Sequence, residues 1–205
     1  MGSKIDAHDS VMRLKHSVHL LQRPAHYGSK TDHVLASYTV GAQILETWPD
    51  CPSFFLFTDT RTENMTKDDL VIMAKRFGER QITIDHNLCQ YWVQAYRQNR
   101  CACKMDSRQE QKAALSDDLG HRHPSAGFFS IVYMLTYLKP DAVTLYGFDS
   151  LLSGVFDWSV TRGENWSQYP DHNWNTESRL FPFLCGVYGY NASILTNGTV
   201  EIKKI

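Results

Sequence analysis

Short apolar runs, separated by polar turns, recur along the first half of the chain. They cover residues 11–14 (VMRL), 34–40 (VLASYTV), 53–59 (SFFLFTD) and 81–84 (QITI). Runs of this length that hold β-branched and aromatic residues between turn-forming segments are typical of buried strands. We therefore predict four strands in this part of the chain, with a Gly-bearing turn (HYGSKTDH) before the second.

Between and after these runs, the apolar residues change to helical spacing. Residues 66–78 (TKDDLVIMAKRFG) begin with a Thr hydroxyl suited to an N-cap, carry two acids in the first turn and end at Gly78. Residues 88–98 (LCQYWVQAYRQ) show a second amphipathic pattern. Both segments are predicted to be helices.

The second half of the chain continues the alternation. We predict a helix over residues 126–138, a strand over 143–148 and a helix from about Asn175, with a polar surface loop over 97–121 and an aromatic-rich loop up to Pro170. Strands that alternate with helices indicate an α/β fold, in which helices cover both faces of a mostly parallel central sheet.

The composition favours one globular domain. With 205 residues, of which 42% are hydrophobic, the chain can bury a sizeable core, and we predict a single domain over residues 1–205. Its 21 Lys and Arg balance 22 Asp and Glu, which argues against a dedicated nucleic-acid binder. The basic clusters KRFGER and RQNRCACK are interpreted as solvated surface.

Targeting signals and cysteines indicate the compartment. No apolar run reaches the roughly 18 to 20 residues that span a bilayer, and the first ten residues lack the apolar core of a secretory signal. Five cysteines, an odd number without regular spacing, fit a reducing compartment better than a disulfide framework. We therefore expect a cytoplasmic protein without a transmembrane segment.

Residues 124–127 (PSAG) place small side chains at the start of the predicted helix 126–138. The first turn of a helix has unpaired amides and carries roughly half a positive charge. Small residues let an anion approach these amides, and the Ser125 hydroxyl adds a donor. Two interpretations stay open from this segment alone: a phosphate site, or an ordinary N-cap in which Ser125 serves only its own helix.

Three motifs, in the family's order, resemble those of the sialyltransferases of glycosyltransferase family 29. Residues 124–148 (PSAGFFSIVYMLTYLKPDAVTLYGF) are similar to the short sialylmotif: a Pro-Ser-Thr-Gly turn, an apolar helix and a strand that ends in Tyr-Gly-Phe. His172, followed five residues later by Glu177, resembles the very short motif. The N-terminal segment resembles the long sialylmotif, whose pattern is matched by Gly2, Ile5, Asp6, His8, Asp9, Val11, Arg13, Gly28, Lys30 and Thr31.

The resemblance implies a single-domain, Rossmann-like fold of the GT-A type and an inverting transfer of sialic acid from its CMP ester to a glycan hydroxyl, without a metal or another cofactor. It implies that Ser125, Ala126 and Gly127 hold the phosphate or carboxylate of the donor. Further donor-binding residues implied by the resemblance are Arg13, Lys15, Tyr146 and Phe148. The expected partners are thus a CMP-sugar and a glycan acceptor, and no nucleic acid.

The resemblance also implies that His172 is the general base of the transferase. An alcohol attacks well only when its proton leaves as the new bond forms, and imidazole is suited to accept that proton. The leaving CMP carries its charge on a phosphate oxygen, which backbone donors can stabilise without a cation. Phosphate or acceptor contacts are expected from His123, Phe156 and Trp158, whereas Glu177 is either a first-turn helix residue or a positioning group.

The chain departs from the family pattern at several positions. It begins downstream of the family's first strand, so we expect either that the fragment is N-terminally truncated or that this member has lost that strand. Lys15 stands where the family has a nucleotide-contacting Asn, and Ala126 stands where it has Thr. The segment SGVFDWSV keeps the aromatic Phe156 and Trp158 but lacks the family's phosphate-contacting His, which His123 could replace.

The family's disulfide is absent as well, because Lys139 lies near the position of the expected Cys. This loss fits a reducing cytoplasm, and therefore a bacterial or viral member of the family. A location in the Golgi lumen is the alternative if an N-terminal anchor precedes this chain.

Three alternatives stay open. Cys101, Cys103, His121 and His123 suggest a zinc site, although their spacings are tighter than those of the usual structural pairs. The donor could carry another CMP-activated acid sugar such as Kdo, because the motifs contact the nucleotide and the anomeric carboxylate that both donors share. The chain could also be a non-catalytic remnant that binds a nucleotide or a glycan without turnover.

Overall fold

The computed structural model describes residues 1–14, 21–38, 43–58, 66–78, 80–98, 124–148, 174–195 and 199–205. These residues form two compact units, Met1–Gln90 and Tyr91–Ile205. Helices and strands are numbered below in chain order over the described residues.

A four-stranded parallel sheet of order β1-β2-β3-β4 is the centre of the first unit. Its strands are β1 (Met12–Leu14), β2 (His33–Ser37), β3 (Ser53–Phe57) and β4 (Gln81–Ile84). The register places Leu35 between Leu14 and Phe55. The four strands predicted from the apolar runs are confirmed, and so is their parallel arrangement.

The two middle strands of this sheet are buried on both faces, as expected where helices or loops cover a parallel sheet. On one face Val34 and Phe54 belong to a core cluster, in which Phe54 packs edge-to-face on Phe77 with ring centroids 5.3 Å apart. On the other face Leu35 is fully buried and Phe55 is 2% exposed. The run of consecutive apolar residues in each strand follows from this double burial.

The helices of the first unit are α1 (Gly2–Asp6), α2 (Pro24–Tyr27), α3 (Gln43–Thr47) and α4 (Lys67–Phe77), and α5 (His86–Gln98) begins in it. A capping box starts α4: the Asp69 amide donates to the Thr66 hydroxyl at 3.2 Å, and the Asp69 carboxylate accepts from the Thr66 amide at 2.8 Å. Gly78 follows the last turn with a φ of 63°. The N-cap, the stop and the second amphipathic helix predicted from the sequence are confirmed.

The second unit contains a three-stranded antiparallel sheet of order β5-β7-β6. Its strands are β5 (Ala142–Leu145), β6 (Tyr190–Ile194) and β7 (Val200–Lys204). The strand predicted over 143–148 ends earlier, at Leu145, since the chain turns at Gly147 with a φ of 76°. β6 and β7 were not predicted, because polar residues interrupt their apolar positions, and they make this second sheet antiparallel.

The helices of the second unit are α6 (Ala126–Tyr133), its continuation as a π-helix (Met134–Leu138), and α7 (Trp174–Val187). The residues of α6 from Phe128 to Tyr133 are all buried. The π-helix ends where Lys139 takes a left-handed φ of 46°. The helix predicted over 126–138 is confirmed in extent, with a wider last turn, and α7 confirms the helix expected from about Asn175.

The fold class is therefore confirmed at the level of a mixed α/β protein with a four-stranded parallel sheet and helices, compatible with a Rossmann-like fold. The GT-A variant and the single domain over 1–205 remain predictions. Within the described ranges, no helix has both the length and the apolar character that a bilayer span requires.

Two glycines fix the contact between α1 and α2. A Cβ atom on Gly2 would overlap the carbonyl oxygen of Pro24, and one on Gly28 would overlap the carboxylate of Asp6. Gly28 also has a φ of 72°, a conformation that L side chains rarely adopt. Both glycines of the long-motif pattern are therefore required by local packing.

Gly28→Ala is expected to lower the free energy of unfolding by about 2–4 kcal/mol, because the methyl group adds a clash with Asp6 to the backbone strain. Gly78→Ala is the matched control in the same unit: its φ is 63° and nothing lies within 4 Å of the added Cβ, so only a strain cost of about 1–2 kcal/mol applies. Urea denaturation measures the free energy of unfolding of both variants and of the wild type. Equal losses would show that the contact with Asp6 does not constrain residue 28.

Candidate functional site

The start of α6 is organised by Ser125, its N-cap residue. Ser125 has extended backbone angles, φ −68° and ψ 163°, and its hydroxyl oxygen accepts a hydrogen bond from the Phe128 amide at 3.2 Å. Its carbonyl accepts the first helical bond, from the Phe129 amide at 3.1 Å. The interpretation of Ser125 as an N-cap is thus confirmed.

Glu177 binds Ser125 across a separation of 52 residues in the sequence. It lies in the first turn of α7 and is fully buried. Its Oε1 accepts from the Ser125 amide at 2.6 Å, and its Oε2 accepts from the Ser125 hydroxyl at 2.7 Å. The residues that resemble the short and the very short motif are therefore in direct contact.

Burial controls the ionisation of this carboxyl. Removal from water raises the pKa of Glu177 from 4.5 to about 7, and the two hydrogen bonds from Ser125 act in the opposite direction because they favour the ionised form. Glu177 therefore changes charge in the neutral range, unlike an exposed glutamate.

Two further amides complete the first turn of α6. Ala126 and Gly127 are the first two helical residues, and both are only partly buried. Among the described residues, no hydrogen-bond acceptor is bound to the amide of either residue. Together with the positive end of the helix dipole, these amides form a surface on which an anion can bind.

Phe148 lies against the same turn. A Cβ on Gly127 would be 2.9 Å from an edge carbon of the Phe148 ring and 3.5 Å from the Ser125 hydroxyl oxygen. The ring approaches this closely because residue 127 has no side chain. The turn at Gly147 directs the chain from β5 towards the start of α6. The structure therefore brings together four predicted site residues: Ser125, Gly127, Phe148 and Glu177. Of the other two predicted residues nearby, Ala126 lies between Ser125 and Gly127 in the sequence, and Tyr146 lies in the turn after β5.

In the first unit, the Arg13 guanidinium donates to two carbonyl oxygens and one hydroxyl. Its Nε donates to the Lys30 carbonyl at 3.1 Å and the Thr31 hydroxyl at 3.0 Å, and its Nη2 donates to the Tyr27 carbonyl at 3.0 Å. Arg13 is only 7% exposed, and burial lowers the pKa of its guanidinium. These contacts give Arg13 a structural role, and its role in donor binding remains a prediction.

The remaining long-motif residues join the same cluster. The Asp6 carboxylate accepts from the amides of Ser29 and Lys30, each at 2.9 Å, and these bonds lower the pKa of Asp6. The Lys30 ammonium donates to the carbonyls of His8 at 2.6 Å and Asp9 at 2.7 Å. Local folding is therefore sufficient to explain the side chains of Asp6 and Lys30 at this spacing, whereas His8 and Asp9 contribute only carbonyl oxygens to these bonds.

A Thr–His pair at the carboxyl end of β3 was missed by the sequence reasoning. Thr58 is fully buried, and its hydroxyl lies 3.0 Å from Nδ1 of His86, the first residue of α5. The Thr58 amide donates to the Cys89 sulfur at 3.4 Å. The available signal was that Thr58 lies near the carboxyl end of one predicted strand and His86 two residues after the end of the next, since ligands of parallel sheets bind at the carboxyl ends of strands.

Several predicted site residues lie outside the described part of the chain. They are Lys15, His123, Phe156, Trp158 and His172, together with the zinc-site candidates Cys101, Cys103 and His121. Their roles remain predictions from the sequence.

Comparisons with protein-family models, with curated proteins and with solved structures found no match to this chain. Its function therefore has to be inferred from the motifs and from the contacts of the described residues. The contact between Ser125 and Glu177 is the most informative of these, because it joins two motifs that are distant in the sequence.

Glu177 is expected to make stability depend on pH between pH 4.5 and about 7. The pKa of Glu177 is higher in the folded than in the unfolded state, so its contribution to the free energy of unfolding is complete below pH 4.5. This contribution, of about 3 kcal/mol, is lost as the pH rises through about 7. Glu177→Gln cannot titrate. The difference in unfolding free energy between the wild type and this variant should fall across that window and stay constant above it. A difference that does not vary with pH would contradict the assignment.

Proposed function

We propose that this protein is an inverting, metal-independent glycosyltransferase that moves sialic acid from a CMP-sugar donor to a glycan hydroxyl. The three motifs in family order, from Gly2 to Glu177, support this activity. The observation that carries the proposal is the bond between Glu177 and Ser125, because it unites the very short and the short motif at the helix start where the donor ester is expected.

The first turn of α6 suits the anionic ester of the donor. The amides of Ala126 and Gly127 offer two hydrogen-bond donors without an intervening side chain. Their charge-assisted bonds to a phosphate or carboxylate oxygen are stronger than bonds between neutral groups. The Phe148 ring beside Gly127 supplies an apolar surface next to the anion site, which suits a nucleotide better than a free inorganic anion.

The proposed reaction is a single displacement. The acceptor hydroxyl attacks the anomeric carbon of the sugar, while the bond from that carbon to the phosphate oxygen of CMP breaks. His172 takes the hydroxyl proton, and it stands in the sequence two residues before α7, whose first turn holds Glu177. CMP leaves with its charge on the phosphate, where the amides of α6 stabilise it without a metal ion.

The proposed partners of this enzyme are a CMP-sugar and a glycan, and its proposed location is the cytoplasm. The nucleotide and the anomeric carboxylate are common to CMP-sialic acid and CMP-Kdo, and the contacts above address only these shared groups. Parallel assays with both donors identify the sugar.

His172→Ala is expected to reduce transfer from CMP-sialic acid by at least about 100-fold, because the attacking hydroxyl loses its base. CMP affinity should stay within a few-fold of the wild type, since His172 is not among the proposed donor-binding residues. Product formation and CMP titration measure the two effects. His26→Ala is the control: His26 is an exposed histidine outside the motif positions, and both properties should be retained.

Full transfer by His172→Ala would reject His172 as the base while leaving the transferase proposal intact. Absence of CMP binding in the wild type would reject the proposed function itself. Binding of CMP without transfer to any glycan would favour the non-catalytic remnant.

A further inference from the structure

We propose that Glu177 is a proton-linked positioning residue: it takes up a proton from solvent when the donor ester binds, and it thereby releases the Ser125 hydroxyl to that ester. This inference rests on the proposed function, because it takes the CMP ester as the ligand of the first turn of α6. It adds a pH-dependent role for a buried side chain that does not itself reach the ligand.

In the structure, Glu177 holds the only hydrogen of the Ser125 hydroxyl. The hydroxyl donates to Oε2 at 2.7 Å, while its oxygen accepts from the Phe128 amide at 3.2 Å. The Ser125 amide is also engaged, with Oε1 at 2.6 Å. As long as Glu177 is an acceptor at both oxygens, Ser125 has no donor left for a ligand.

Protonation of Oε2 reverses the bond between the carboxyl and the hydroxyl. The carboxylic O–H then donates to the Ser125 oxygen, which has two lone pairs and can therefore keep the Phe128 amide as well. The hydroxyl hydrogen of Ser125 becomes free to donate to an ester oxygen. The bond from the Ser125 amide to Oε1 is unchanged, and the only species transferred is one proton from solvent to Glu177.

An anion on this turn favours the protonated form. The amides of Ala126 and Gly127 directly follow the Ser125 amide that binds Glu177, so ester and carboxylate would occupy the same helix start. Two like charges in a poorly solvated place raise the proton affinity of the one that can titrate. Since burial already raises the pKa of Glu177 to about 7, a bound anion moves it above neutrality.

Among the described residues, Ser125 supplies the hydrogen bonds to the carboxyl. From the α6 side, its amide and hydroxyl are the groups that face Glu177, and on α7 the nearest charged neighbour in sequence, Arg179, is exposed. Over the described residues, burial and these two bonds set the pKa, with no contribution from a charged side chain. A new anion is therefore expected to have a large effect on this group.

Calorimetric titration with CMP at pH 7.5, in buffers of different ionisation enthalpy, measures the protons taken up on binding. The wild type should take up about half a proton more per bound CMP than Glu177→Gln. Subtracting the proton uptake of the variant from that of the wild type removes the contribution of the CMP phosphate, which titrates in both experiments. The Gln side chain donates permanently to the Ser125 oxygen, as the protonated acid does. From pH 6.5 to 8.5, CMP affinity should consequently fall about tenfold more in the wild type than in the variant.

Equal proton uptake and parallel pH profiles in the two proteins would overturn the inference and leave the proposed function standing. A wild type that does not bind CMP at all would overturn both. If Glu177→Gln fails to fold, infrared difference spectra of the wild type at pH 7.5 replace the comparison with this variant. Addition of CMP should then produce the carbonyl band of a protonated carboxylic acid, and the absence of that band would refute proton uptake.

Discussion

The hydrogen bonds between the Glu177 carboxyl and Ser125 are the interaction on which the candidate site depends. A carboxyl with no exposed surface would be strongly unfavourable unless its oxygens were paired, and both are paired with one residue, at 2.6 and 2.7 Å. That residue is also the N-cap of α6, so the same contact starts one helix and anchors the first turn of another. It thereby fixes the position of the amides of Ala126 and Gly127.

The two interpretations of the PSAG segment turn out to be compatible. Ser125 serves its own helix, as an ordinary N-cap does, and in the ionised state its hydroxyl is used up by Glu177. While Glu177 is ionised, the proposed anion site therefore consists of the next two amides, and the serine hydroxyl joins it only when Glu177 is protonated. Gly127 has a second reason to be glycine, since any side chain there would displace the ring of Phe148.

The sequence predicts what local physics decides. The four strands of the first unit, the capping box at Thr66, the stop at Gly78 and the extent of α6 with its π-helix follow from apolar periodicity and from the chemistry of helix ends. Features that depend on distant partners were not accessible: the antiparallel pairing of β5 with β7, the burial of Arg13, and the pairing of Thr58 with His86. The motifs named Ser125 and Glu177 as site residues, but only the fold shows that they touch.

The central claim is that an anionic ester binds the bare amides at the start of α6, and Ala126→Pro tests it most directly. Proline deletes one of these amide hydrogens, while it fits the first helical position and the extended angles of Ser125. We predict that this variant keeps its melting temperature but binds CMP about 10- to 100-fold more weakly, as expected for one lost bond to a charged group. Ala126→Ser, which keeps the amide, should bind like the wild type. A folded Ala126→Pro protein with undiminished CMP affinity would contradict the account.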